Sequence, residues 1–233
     1  MQVMENAVKG KFIIVTGSRS GLGAALAEQL HFCGAHVIEY DLKNGDDVCS
    51  PSPWLAKLPR VDGLINCAGI NSNDWFCDVK TDDLFKVMEV NAFSMAYMTK
   101  AVLPKLTESK GFVINIVSNA SHIPMTSSLA YNMSKAAALM ATKQMAHELT
   151  KTRGVTVFSV SPNKLEGTEM SAQIEAEVQR VRGWTKEYAA QYQKCALMHG
   201  LETPPEAVAS VIVDVLSSGA WKYMSGTDIP VGK

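Results

Sequence analysis

Nothing in this 233-residue chain is abundant enough to select a partner by charge or a membrane by length. Lysine and arginine number 22 against 23 acidic residues, a formal charge of −1, so no basic field draws in nucleic acid or an anionic membrane surface. No apolar run approaches the ~20 residues of a spanning helix. Met1–Lys11 mixes charged and polar residues and lacks the apolar centre of a secretion signal. Cys33, Cys49, Cys67, Cys77 and Cys195 form no C-x-x-C pair and are odd in number, which argues against a disulfide framework and suits a reducing compartment. His31, His36, His122, His147 and His199 show no metal-ligand spacing, so no catalytic metal is expected. Linkers, repeats and low-complexity stretches are also missing. With 47% hydrophobic residues the chain can bury one sizeable core, and one cytoplasmic domain spanning 1–233 is expected.

What is present is an alternation. Short apolar runs at Phe12–Thr16, His36–Tyr40, Gly63–Cys67, Phe112–Val117, Val155–Val160 and Asp228–Val231 read as strands covered on both faces. Helical patterns at Leu22–Phe32, Asp82–Leu106, Leu129–Thr152 and Pro205–Leu216 separate them. This predicts an α/β fold, a Rossmann-type doubly wound parallel sheet. Two places break the rhythm. After the second strand, about twenty residues containing Pro51, Pro53 and Pro59 leave little room for a crossover that needs ~10–12 residues, so one helix is expected to be shortened or lost. From Thr168 to His199 no strand appears. Ile174, Val178 and Val181 share one helical face there, and Trp184, Tyr188 and Tyr192 another, which predicts a helical insertion lying over something.

The first strand runs straight into Thr16-Gly17-Ser18-Arg19-Ser20-Gly21-Leu22-Gly23, which opens a helix. Gly17 permits a tight turn, Gly21 lets the backbone approach a pyrophosphate, and Gly23 lets helix and strand pack closely. The helix start then offers free N–H groups to phosphate. A bare glycine pattern is often only a turn, but here strand, turn and helix fall where a dinucleotide site needs them. Asp41, closing the second strand, would accept hydrogen bonds from adenosine ribose hydroxyls and repel an added phosphate, so NAD is expected over NADP. A solvated turn aspartate is the competing reading, and Arg19 or Lys43 could instead reach a 2′-phosphate.

Tyr131 and Lys135 lie four apart on a helical stretch and so share a face. An ammonium beside a phenol favours the phenolate and tunes it for acid–base work. No other tyrosine in the chain has a lysine four residues later. Ser118 follows a buried strand, where ligands of open α/β sheets bind, although Ser118-Asn119-Ala120-Ser121 would otherwise pass as a turn.

These landmarks together resemble the short-chain dehydrogenase/reductase family almost end to end. The resemblance rests on the glycine turn, Asp41, Asp47-Val48, Asn66-Cys67-Ala68-Gly69, Asn91, Ser118 thirteen residues before Tyr131, Lys135, Ser161-Pro162, Pro205-Glu206-Ala207-Val208-Ala209 and Ser225-Gly226-Thr227. It implies hydride transfer between a nicotinamide cofactor, NAD with NADP as the alternative, and a small alcohol or carbonyl substrate. Tyr131 would be the acid–base residue, Ser118 would orient and polarise the substrate oxygen, and Lys135 would bind the nicotinamide ribose. Asn91 would help hold a relay water. Gly17, Arg19, Ser20, Gly21, Leu22, Asp41, Asp47, Val48, Asn66, Ala68, Gly69, Pro162, Leu165 and Thr168, with Tyr131 and Lys135, would contact the cofactor.

The chain departs from the family pattern at Cys67, at Asn163 where glycine is usual, and at Lys164–Thr168, which is one residue longer than usual before the threonine. Asn163 is expected in a strained, left-handed turn. Trp75, Phe76, Met125, Met170, Trp184, Tyr188 and Met198, with His122, are candidates to line the pocket, which would suit a medium-sized, partly apolar substrate. Met95, Met98, Met140 and Met145 exceed one simple core face, and the family resemblance implies that the two long helices pair across an axis in a homodimer or homotetramer. Two rival readings are a catalytically silent dinucleotide sensor or scaffold of the same fold, and a lyase or epimerase with tightly held cofactor.

Overall fold

The computed structural model describes residues 7–196 and 202–232. Six parallel strands form one sheet in the order β2-β1-β3-β4-β5-β6. They are β1 (Phe12–Thr16), β2 (His36–Tyr40), β3 (Gly63–Asn66), β4 (Phe112–Ile116), β5 (Thr156–Pro162) and β6 (Asp228–Val231). The helices are α1 (Gly21–Phe32), α2 (Thr81–Met88), α3 (Ser94–Ser109), α4 (Leu129–Arg153), α5 (Glu169–Arg182), α6 (Lys186–Ala196) and α7 (Pro205–Ser217). Strand order reverses between β1 and β3, and a crevice opens beyond their C-terminal ends.

Alternation along each strand builds two cores. Ile13, Val15, Ile114 and Phe158 pack with Leu26 and Leu30 of α1 and Ile212 and Leu216 of α7. Their neighbours Ile14, Leu64, Val113 and Val157 face the other way, onto Met98, Val102 and Leu106 of α3 and Ala146 of α4. Gly63 sits in register with Phe112, and a Cβ on it would lie 2.3 Å from the phenyl ring, so this strand position has room only for glycine. Among the described residues no helix is long and apolar enough to cross a membrane.

One expectation is met and two need correction. First, the crossover helix between β2 and β3 is lost as expected: the connection holds only the 3₁₀ turns Leu42–Asn44 and Pro53–Lys57, and β1 pairs directly with β3. The prolines block a regular helix there, and Tyr40 organises the loop instead, accepting from the Ser52 N–H at 3.0 Å and donating to the Asp47 carbonyl at 3.2 Å. Second, Met95 and Met98 are core residues, 1% and 0% exposed. α3 meets two neighbours, with Met98 packed toward the sheet and Met95 toward Ala138 and Leu139 of α4, so one helix buries more than one face. Third, the long helix expected over Asp82–Leu106 is interrupted: a π turn at Glu89–Phe93 joins α2 to α3.

Candidate active site

β4 delivers Ser118 just past its C-terminal end, and α4 delivers Tyr131 and Lys135 from its buried face. Ser118 faces the Tyr131 phenol, near enough to lower its pKa. The Lys135 ammonium lies 5.7 Å from the centre of the Tyr131 ring and donates to the Ile116 carbonyl at 2.9 Å. Three of the four residues predicted to be catalytic thus converge where the first core ends.

Their electrostatics differ from expectation. Desolvation holds the Tyr131 phenol above its ordinary value, and Ser118 opposes that rise. The Lys135 ammonium sits over the ring face and donates to a carbonyl. Burial instead depresses Lys135 from 10.5 to about 8, offset in part by Cys67. Cys67, the departure from the family pattern, is pushed up to about 12 by burial and stays a neutral thiol. The Lys135 shift carries a stability consequence. The unfolded chain holds this proton up to higher pH than the folded chain, so stability gains from Lys135 as pH rises from about 8 toward 10.5. Melting curves of the wild type and Lys135→Met should therefore diverge across that window. The wild type should gain up to about 3 kcal/mol relative to the variant, and parallel curves would refute the buried-ammonium assignment.

Asn91, the fourth predicted residue, stands in the π turn, a form that recurs at functional sites. Its Oδ1 accepts from the Ile70 N–H and its Nδ2 donates to the Ile70 carbonyl, each at 2.8 Å, and Nδ2 also donates to Ser134 Oγ at 3.0 Å. The side chain is therefore a clamp between the loop after β3 and α4. Gly69 lies beneath it, where a Cβ would sit 3.3 Å from Asn91 Oδ1 and 3.7 Å from Lys135 Nζ. Asn66 keeps its sheet contact, donating to Asn115 Oδ1 at 2.8 Å. Thr16, at the head of the glycine turn, holds that same loop: its Oγ1 accepts from the N–H groups of Cys67 and Ala68 at 2.9 and 3.0 Å. A threonine ending a first strand offers no local sign of that role.

At the other end of the crevice, Gly17 turns with φ +66° and a Cβ there would lie 2.9 Å from Ala68 Cα. The first N–H groups of α1, those of Gly21 and Leu22, have no intrahelical acceptor, and the Ser20 hydroxyl at the cap makes no cap bond. Outside Gly21 only Thr168 comes near, its methyl 3.4 Å from where a Cβ would stand. A hollow of about 550 Å³ lies against Arg19, Ser20, Gly21 and Thr168, and Glu28, Glu166, Glu169 and Glu206 line it as well. Free helix N–H groups, a spare hydroxyl and an open glycine face form a donor set that fits a pyrophosphate.

Asp41 is tied into this turn. Its Oδ2 accepts from the Arg19 N–H at 2.9 Å and its Oδ1 from the Lys43 N–H at 2.8 Å. Both cations that could have reached a 2′-phosphate are paired: Arg19 with Glu39 at 3.1 Å and Lys43 with Glu169 at 3.6 Å. Glu39 is legible in principle, two residues before Asp41 and so on the same strand face. Glu169 comes from a distant helix and gives no local sign.

The remaining predicted contacts are dispersed. Val48 is buried with Tyr40 and Leu55, and Asp47 accepts from the Cys49 N–H at 2.8 Å. Pro162 ends β5, and Asn163 is not left-handed: its N–H continues the ladder to the Val231 carbonyl at 2.8 Å, because β6 extends beside it. Leu165 packs against the first core and bridges Thr203. Thr168 caps α5, accepting from the Ser171 N–H at 3.0 Å, so its hydroxyl faces the helix and its methyl faces Gly21. His122 pairs with Asp228 at 2.9 Å. Trp184 contacts Tyr188 and Tyr192 at 4.9 and 4.7 Å, and Trp75 donates to the Val181 carbonyl at 2.9 Å, so the insertion does lie on the loop after β3. Phe76 and Met125 are exposed, and Met170 is half-buried. Met198 and His199 lie outside the described residues.

Comparison with known proteins agrees with this geometry. A family model described as short chain dehydrogenase matches residues 52–179. The chain is 28% identical to a 3-oxoacyl-(acyl-carrier-protein) reductase of Rickettsia felis, over 95% of each chain. It is 27% identical to a sorbitol-6-phosphate 2-dehydrogenase of Klebsiella pneumoniae, over 97% of each. A solved structure from Beutenbergia cavernae, provisionally assigned as an NAD(P)-dependent gluconate 5-dehydrogenase and holding NADP at low occupancy, superposes with a TM-score of 0.83 at 25% identity, covering 97% of this chain and 96% of that one.

Proposed function

The chain belongs to the short-chain dehydrogenase family, and on that premise we propose that it oxidises an alcohol or reduces a carbonyl with NAD in preference to NADP. The observation that carries the reading is the convergence of Ser118, Tyr131 and Lys135 at the end of a crevice whose other end is a phosphate-binding turn. A silent sensor would have no use for that set.

When bound, the nicotinamide supplies the hydride acceptor or donor, which no side chain can provide. The chain's own groups then do the following. Ser118 donates to the substrate oxygen and orients it. Tyr131 gives a proton to the forming alkoxide in reduction and takes it from the alcohol in oxidation. Lys135, deprotonating more easily than a solvated lysine, is placed to exchange protons on the tyrosine side of the site. Asn91 keeps the loop carrying Gly69 against α4, and the first turn of α1 with Ser20 holds the phosphates. Gly17, Arg19, Gly21, Leu22, Asp41, Asn66, Ala68, Gly69, Pro162, Leu165 and Thr168 border the nucleotide in this reading, with Asp47 and Val48 toward the adenine.

NAD is favoured because a 2′-phosphate would have to draw Arg19 from Glu39 and Lys43 from Glu169 beside the Asp41 carboxylate. Calorimetric titration should give NADH a dissociation constant lower than that of NADPH by about tenfold or more, ~1.4 kcal/mol. Tighter NADPH binding would overturn the preference, and binding of neither would overturn the enzyme assignment. The exposed Phe85, Phe93, Tyr97 and Met140 on α2–α3 and α4 support a homodimer or homotetramer. Cys33, Cys49, Cys67 and Cys77, all free thiols, suit the cytoplasm.

A further inference from the structure

One charged side chain ties the insertion to the turn that launches the catalytic helix. Arg182, the last residue of α5, donates from Nε to Ser127 Oγ at 2.9 Å and from Nη2 to the Thr126 carbonyl. Its guanidinium is stacked 4.6 Å from the Trp184 ring and 5.8 Å from Tyr192, so the planar fork is held on its face as well as at its edge. Burial lowers its affinity for the proton, but a guanidinium stays charged at any working pH.

The turn it grips is strained and has little local support. Ser127 is buried at φ +54°, a left-handed conformation that costs a non-glycine residue about 1–2 kcal/mol. Ser128 caps α4 without any side-chain cap bond. Beside the local bond from Ser128 Oγ to the Thr126 carbonyl at 3.2 Å, long-range bonds hold the pair. The Ser127 carbonyl accepts from the Asp74 N–H at 3.0 Å and from Asn73 Nδ2 at 3.2 Å, and that same Nδ2 donates to Ser128 Oγ at 2.8 Å. Asn73 is only 3% exposed. Arg182 completes this buried network from the other side, and Tyr131 follows within one helical turn.

We propose that Arg182 is a positioning residue: by gripping Thr126 and Ser127 it couples docking of the α5–α6 segment to the placement of Tyr131 against Ser118. The proposal rests on Tyr131 as the acid–base residue, and it is tested by a readout that needs no turnover. The phenolate absorbance of each chain minus that of its Tyr131→Phe counterpart reports the titration of Tyr131 itself. The groups facing that phenol are Ser118 from the turn after β4 and Lys135 from its own helix, with Cys67 behind the lysine.

In Arg182→Ala the phenol should draw away from Ser118, and since Ser118 lowers the Tyr131 value, the titration should move to higher pH. kcat should fall by about 10²-fold, the cost of a misplacement of roughly 1 Å, with the NADH dissociation constant unchanged. Arg182→Lys, which keeps the charge but loses the fork, should fall between. Should Arg182→Ala fail to fold, Ser127→Gly relieves the left-handed strain while removing one of the two acceptors, and it should give a smaller shift in the same direction in a chain at least as stable. An unmoved titration, or a loss confined to KM, would overturn the coupling. Failure of the wild type to bind either nicotinamide nucleotide would instead overturn the enzymatic reading, with the Tyr131 titration still deciding the coupling.

Discussion

Tyr131→Phe should lose about 10³-fold in kcat while binding NADH as tightly as the wild type. General acid–base catalysis contributes some 10²–10⁴-fold. Ser118 is an alcohol with no base of its own, and the Lys135 ammonium lies over the ring face, 5.7 Å from its centre. The ring itself can stay, since phenylalanine keeps the contact under the Lys135 ammonium. What disappears is one oxygen and its proton. Steady-state kinetics beside a fluorescence titration with NADH separate the two effects. Turnover within tenfold of the wild type would show that the proton travels by another route, and a parallel loss of binding would mean that the residue holds the cofactor more than it drives the chemistry.

Gly23→Ala should weaken NADH binding by 10²-fold or more and lower the melting temperature. A Cβ at this position would lie 2.0 Å from the Gly17 carbonyl oxygen and 2.7 Å from its carbon, with Ser18 Cα at 3.2 Å. Every one of those atoms is backbone, so no flexible side chain can give way. The helix and the turn would have to separate, and the turn is fixed on its far side where Gly17 meets Ala68. Overpacking of this kind costs about 1–3 kcal/mol or more, and it falls on the spacing between the helix start and the phosphate. Gly167 provides the contrast, since nothing lies within 4 Å of its added Cβ, although φ +64° makes alanine strained there too. Gly23→Ala with wild-type affinity would mean that the turn does not set the phosphate site.

Much of this site is readable along the chain because its parts are local. Tyr131 and Lys135 meet through the four-residue repeat of one helix, and the glycine turn is a contiguous run at a strand end. Strands buried on both faces are equally plain. What cannot be read this way is decided between distant segments. Arg182 and Ser127 are 55 positions apart, Lys43 and Glu169 more than a hundred, and neither pairing leaves a periodic trace. The proline-rich stretch after β2 signals the loss of a helix, but not the 3₁₀ turns that replace it. The sequence neighbours of Asn163 suggest a turn, whereas β6, some seventy residues later, supplies the ladder that keeps it extended.

The π turn at Glu89–Phe93 also keeps a helical clock. Val87 before it and Leu106 after it are both buried, nineteen residues apart. At about 100° per residue, an unbroken α-helix would overshoot five revolutions by roughly one residue's rotation. The wider turn absorbs that surplus residue, so Val87 and Leu106 point the same way. The same insertion brings Asn91 round to Ile70 and Ser134. Deleting one residue of the turn would make the helix regular and leave its two halves in phase, so the core contacts would survive and the Asn91 clamp alone would be lost.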